Sequence, residues 1–219
     1  MAAYISPAWF YGYDAAFQLL FAVITLIIAA FSFKVYKASE QRPARLLGFA
    51  FLFISLAFLV QALLSALLVS GAQERACDLI GLTLVGLCES VGILLHIALM
   101  LTGLALLVLL AVKPAGKRTL LLLLGVTLIA LAVSGDALLT YYLLSSFFLA
   151  FISWHFIENY LSNKQTKTLL VALAFLFLFF GSFHFLLAVN HEIFYVLGHF
   201  LELAAYLLIL ANLYVVRKS

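Results

Sequence analysis

Seven apolar runs, roughly 16 to 26 residues long and parted by short polar breaks, decide what this chain can fold into. They cover roughly 13–36, 46–70, 89–112, 119–134, 136–161, 168–189 and 192–215. The breaks are SEQRPAR, SGAQERACD, KPAGKR, SGD, SNKQTK and NHE, each holding turn residues or charges that are costly in hydrocarbon. About 20 apolar residues are what a helix needs to cross a bilayer. A chain that is 67% hydrophobic and 10% charged, with mean hydropathy +1.24, has too little polar surface to cover a soluble fold. A β-barrel would show short alternating segments instead of long continuous ones. The fold class that follows is an all-α integral membrane protein, a seven-transmembrane-helix bundle, with residues 1–219 forming a single transmembrane domain in contact with the lipid bilayer. The run 119–134 is short for a full crossing.

The N-terminus has no basic segment ahead of its first apolar run, and that run continues to Phe33, too long for the core of a cleavable leader. The first run therefore reads as an uncleaved anchor. Tyr4, Trp9, Phe10, Tyr11 and Tyr13 read as an aromatic belt at the interface.

Charge orients the bundle. With the N-terminus outside, every lysine and arginine except Arg75 falls on the inner side, as positively charged loops favour the cytoplasm. Asp14, Glu74, Asp78, Glu89, Asp136 and Glu192 fall near the outer face, and the C-terminus is cytoplasmic. The natural location is the plasma membrane. The formal charge of +3 thus reflects topology, and nucleic acid is no partner. No glycine-rich phosphate loop is present. The last run has no lysine in its middle, which excludes a retinal Schiff base. Cys77 and Cys88 lie in the outer connection, where an oxidising compartment favours a disulfide between them; a helix starting near Cys77 would instead hold them too far apart.

An ionisable side chain inside a span points to function, because burying it in lipid is expensive. His96, His155, His184, His199, Glu158, Glu202 and the amide of Gln61 are in this position. Counting from the outer ends at about 1.5 Å per residue puts His96, His184 and His199 on three helices at a common depth of about 10–12 Å. Glu202 lies one turn below His199 on the same face. Gly92, Gly103, Gly181 and Gly198 stand near these histidines, leaving room for a flat ligand or for close helix packing. His155 and Glu158 lie one turn apart near the inner interface and are expected to pair there; His191 and Glu192 belong to the outer turn.

Two imidazoles from facing helices suit a b-type haem, held by His96, His184 and His199. That would make the chain an electron carrier between a membrane quinol and an external redox or signalling partner protein. The alternative is a metal centre, His96, His184, His199 and Glu202 around zinc, copper or iron, of the kind found in zinc-type membrane hydrolases. The same residues could serve a non-catalytic bundle as a buried polar network, or carry protons along a path through the membrane.

Overall fold

The computed structural model describes residues 8–69, 83–112, 117–188 and 191–218, and the elements among them are helical. A short turn of 3-10 helix, Ala8–Phe10, leads into α1 (Tyr11–Ser39). There follow α2 (Arg42–Val69), α3 (Thr83–Ala111), α4 (Lys117–Val133), α5 (Ala137–Asn163), α6 (Thr166–Leu187) and α7 (Ile193–Lys218). Each helix coincides with one of the seven apolar runs. Several extend a turn or so beyond it, because helical hydrogen bonding does not stop where lipid does. The expected Cys77–Cys88 disulfide lies outside the described residues at Cys77; Cys88 falls within α3.

Six of the helices are long and apolar enough to cross a membrane, and α4, described as apolar over Arg118–Val133, is shorter. The chain is an integral membrane helical bundle. Its outward surface is lined by large apolar side chains, among them Leu19, Leu63, Leu94, Phe147 and Phe200, as lipid requires.

Three of the described turns are tight and locally capped. After α1, Glu40 takes a left-handed conformation (φ 54°) and its N–H donates to the Tyr36 carbonyl; after α5, Lys164 (φ 49°) does the same with Tyr160. Asp136 in the SGD break caps α5, its Oδ1 accepting the amides of Leu138 and Leu139 at 3.0 and 3.1 Å.

Helix contacts close a ring in the order α1, α2, α3, α5, α6, α7 and back to α1. Helix α4 lies outside this ring and touches α3 and α5. Its Leu121, Leu122, Ile129 and Val133 are exposed by 65% or more. The ring core runs from Phe21, Ile28 and Phe58 through Ile97 and Leu104 to Ile152, Phe175 and Tyr206. Contacts round the ring set the directions. Asp14 meets Ser65 and Phe33 meets Phe49, so α1 and α2 are antiparallel, and Gly92 lies against Leu64 and Gly103 against Ala50, so α2 and α3 are too. Asp14 meets Tyr195 and Phe21 meets Tyr206, so α1 and α7 are parallel, while Phe185 meets Tyr195 and Gly181 lies against Glu202, so α6 and α7 are antiparallel. Tyr142 meets Phe185 and Phe156 meets Phe175, so α5 and α6 run in opposite directions. Because α5 is antiparallel to α6, α3 and α5 run in the same direction.

The glycines near the histidines, Gly92, Gly103, Gly181 and Gly198, are met by neighbouring helices. A Cβ on Gly103 would stand 2.6 Å from Ile54 Cγ1 and 2.9 Å from the Ala50 carbonyl, so α2 lies against its backbone. A Cβ on Gly198 would stand 2.6 Å from the Phe185 ring. Of the two uses of small residues open in the sequence, close packing is the one realised here.

Candidate functional site: a buried carboxylate–imidazole–carboxylate row

The site begins with an acid in the first turn of α1. Asp14 is completely buried, at 0% exposure, although the sequence placed it among the outer-face charges. Its Oδ2 accepts from Ser65 of α2 at 2.9 Å. Its Oδ1 accepts from the Tyr195 hydroxyl of α7 at 3.0 Å and from Gln18 Nε2 at 3.4 Å, and lies 3.1 Å from His199 Nε2. A buried carboxylate survives only when charge-assisted donors replace its water, and Asp14 draws these from three helices. The positive N-terminal end of α1 adds to them.

His199, 2% exposed, lies between two acids. Its Nε2 faces Asp14, and its Nδ1 lies 3.4 Å from Glu202 Oε2, three residues further along α7. Both contacts are at ion-pair distance without the alignment of a hydrogen bond. The ring is caged by aromatics. Phe17 lies parallel to it, 8° between planes at 5.8 Å, and Phe10 is close to parallel at 5.7 Å. Phe185 and Tyr195 meet it edge-on at 5.0 and 4.7 Å. Such a cage keeps water from the ring and fixes its orientation between the two acids. Phe10 is therefore a core residue, 4% exposed, and not part of the interfacial belt; Trp9 and Tyr13, both 64% exposed, do lie outside. Tyr4 falls outside the described residues.

The other candidates separate. His96 is buried, but its Nδ1–H donates to the Ala57 carbonyl of α2 at 2.9 Å and its ring meets Tyr141 edge-on at 5.5 Å. His184 is half-buried; its Nδ1–H donates back to Phe180 of its own helix at 2.7 Å, and its ring packs on Phe194. The reason is angular. The inner face of α6 carries Phe175, Leu178, Gly181, Ser182 and Phe185, and His184 lies about 100° round the helix from Phe185. Residue counting sets depth along an axis but not the direction a side chain faces. His155 packs against Phe156, and among the described residues no ion pair joins it to Glu158. His191 is exposed.

These donors do not fit the expected cofactors. A haem held by two of His96, His184 and His199 needs two free imidazole nitrogens facing one another. Both His199 nitrogens face carboxylates, and His184 turns to its own backbone. A zinc, copper or iron centre of His96, His184, His199 and Glu202 needs its donors around one point. Among the described residues no three His, Cys, Asp or Glu side chains converge in this way. Asp14, His199 and Glu202 instead form a row, one acid at each ring nitrogen.

Deeper in the bundle, Glu202 lines a cavity of about 40 Å³ together with Tyr141, Tyr206, Ser145 and Ser182. A water needs roughly 10–15 Å³ by this measure, so the cavity has room for two or three. Compared with known protein families, curated proteins and solved structures, the chain matches none.

Asp14 is the residue that sequence reading passed over. Its signal was present: Asp14, Gln18, Thr25 and Ser32 are spaced by four and seven, which gathers the polar groups of the first span on one helical face. All four are buried.

Proposed function

We propose that this is a membrane protein that binds and passes protons along the row Asp14–His199–Glu202. The observation that carries this is His199, buried, with a carboxylate at ion-pair distance from each ring nitrogen. Imidazole can accept a proton at one nitrogen and release one from the other near neutral pH. Buried His and acid chains of this kind are the usual parts of intramembrane proton relays. Asp14, one turn into α1 and bonded to Tyr195, is the end nearer the start of that helix; Glu202, facing the cavity, is the inner end. The titratable groups around the row are His96 of α3, Tyr141 of α5, and Tyr195 and Tyr206 of α7.

The orientation that suits this reading has seven crossings, the N-terminus outside and the C-terminus inside, in a plasma membrane. The parallel course of α3 and α5 supports the number of crossings, and the gathering of lysine and arginine at one set of loops supports the sidedness. A chain that finishes α3 and begins α5 in the same direction has to return across the bilayer between them, and α4 is the segment that does so. Its 17 residues span about 25 Å, close to the hydrocarbon thickness.

The test is proton uptake by the protein in lipid nanodiscs after a pH step, read with a soluble indicator dye and by the infrared carboxylic C=O bands. Wild-type protein is expected to show a protonatable buried carboxyl that Glu202→Gln removes and His199→Asn alters. If folded Glu202→Gln and His199→Asn proteins take up protons as wild type does, the row serves packing alone.

A further inference from the structure

The cavity below the row has features that passing protons does not require. Ser145, only 3% exposed, lines it, and its Oγ has no aligned hydrogen-bond partner, although the Tyr141 hydroxyl lies beside it. The hydroxyls of Tyr141 and Tyr206 are within electrostatic reach of Glu202. The aromatic side chains of Tyr142, Phe175 and Phe185 line the same cavity. One carboxylate, several hydroxyl oxygens and ring faces are the surroundings that recognise an N–H donor with a positive charge.

Charge points the same way. With both acids ionised and His199 protonated, the buried row keeps one net negative charge. Lipid tolerates that poorly, and either a proton on Glu202 or a monovalent cation beside it removes it.

We propose that this cavity binds a small ammonium-type cation, ammonium or methylammonium, which takes the place of the proton on Glu202. An ammonium ion is water-sized and donates four hydrogen bonds. It would give one to the Glu202 carboxylate and others to Ser145 Oγ and the tyrosine hydroxyls, with a methyl group, where present, against the rings. A space of about 40 Å³ admits methylammonium and excludes tetramethylammonium. The displaced proton goes to solvent buffer, so binding and proton release are one exchange, and affinity rises with pH as Glu202 gives up its proton. The titratable groups facing Glu202 are Asp14 of α1, Tyr141 and Tyr142 of α5, and His199 and Tyr206 of α7, and α3 lines the cavity with Met100, Leu104 and Leu107. Helices α2 and α6 line the cavity with Phe51, Ile54, Phe175, Leu178, Ser182 and Phe185.

This rests on reading Glu202 as the protonatable inner end of the row, and the experiment separates the two. Methylammonium chloride is titrated into the protein in nanodiscs in weak buffer, against sodium chloride at equal ionic strength, with heat and released protons followed together. Saturable binding with release of about one proton per cation is expected, reduced about tenfold or more in Glu202→Gln and in the cavity-filling Ser145→Leu, and unchanged in His184→Ala. Tetramethylammonium is expected to give neither signal. Absence of saturable binding to wild type, or binding that survives in both folded variants, overturns the proposal. If methylammonium fails to bind while Glu202-dependent proton uptake persists, the cation site falls and the proton row stands.

Discussion

At the scale of single residues, Asp14 holds more of this protein together than any histidine. It accepts from Ser65, Tyr195 and Gln18 and faces His199, so three helices meet at one carboxylate. Removing one partner of a buried charged group leaves the others desolvated without compensation. Asp14→Ala is therefore expected to destabilise by about 3–5 kcal/mol. His184→Ala, at a half-buried ring bonded only to its own helix, should cost less than about 1 kcal/mol. Thermal melting of the two variants in the same detergent checks the contrast. Equal losses would mean that His184 belongs to the core after all. Most of the ionisable residues inside the spans were legible in the chain, Asp14 excepted, and the placing of Glu202 on the His199 face followed from their spacing. The pairing of His199 with Asp14 did not, because 185 positions separate them and nothing local records their approach.

At the scale of elements, the helices were nearly all visible beforehand. Apolar runs set their length, and breaks such as SGD set their ends, because Asp136 accepts the first amides of α5. What the runs could not show was which face of each helix turns inward, since a span apolar all round has little amphipathic pattern to read. Hydroxyl bonds across helices give some of the answer: Ser55 donates to the Ala22 carbonyl at 2.8 Å, and Ser146 pairs with Ser182 at 3.0 Å. Each is worth about 0.6 kcal/mol on average in a membrane, so they fix register more than stability. The glycines matter more. Gly103→Val would drive a side chain into Ile54 and the Ala50 carbonyl, and backbone cannot give way as a side-chain tip can. A loss of about 1–3 kcal/mol is expected, measured as a lowered melting temperature. The equivalent change at Gly125, where a Cβ would meet no neighbouring helix within 4 Å, should leave melting close to wild type.

At the scale of the whole molecule, the ring closes without α4. The six ring helices bury the row and the cavity, while α4 packs against the outside of α3 and α5. Seven crossings follow if α4 returns the chain between those two parallel helices. Single cysteines placed at Lys37 and Gln165 on one side and at Asp136 and Glu192 on the other, in a background lacking Cys77 and Cys88, are expected to label from opposite faces of intact cells. Labelling of Asp136 and Gln165 positions from the same face would show that the bundle is not threaded in this way. The inner set is expected to react only after the membrane is made permeable.

Taken alone, the amino-acid sequence determined the solvent, the helical class, the approximate ends of seven helices and the asymmetry of basic residues across them. Each of these depends on composition along a short stretch, which lipid and the backbone read locally. The tertiary structure decided which polar side chains meet. It turned His184 away from the core, brought Asp14 in from the outer rim to His199, and opened a cavity beside Glu202. Those outcomes depend on the rotation of each helix about its own axis and on which helices become neighbours. Both are set by packing across the whole ring, and no run of twenty residues contains them.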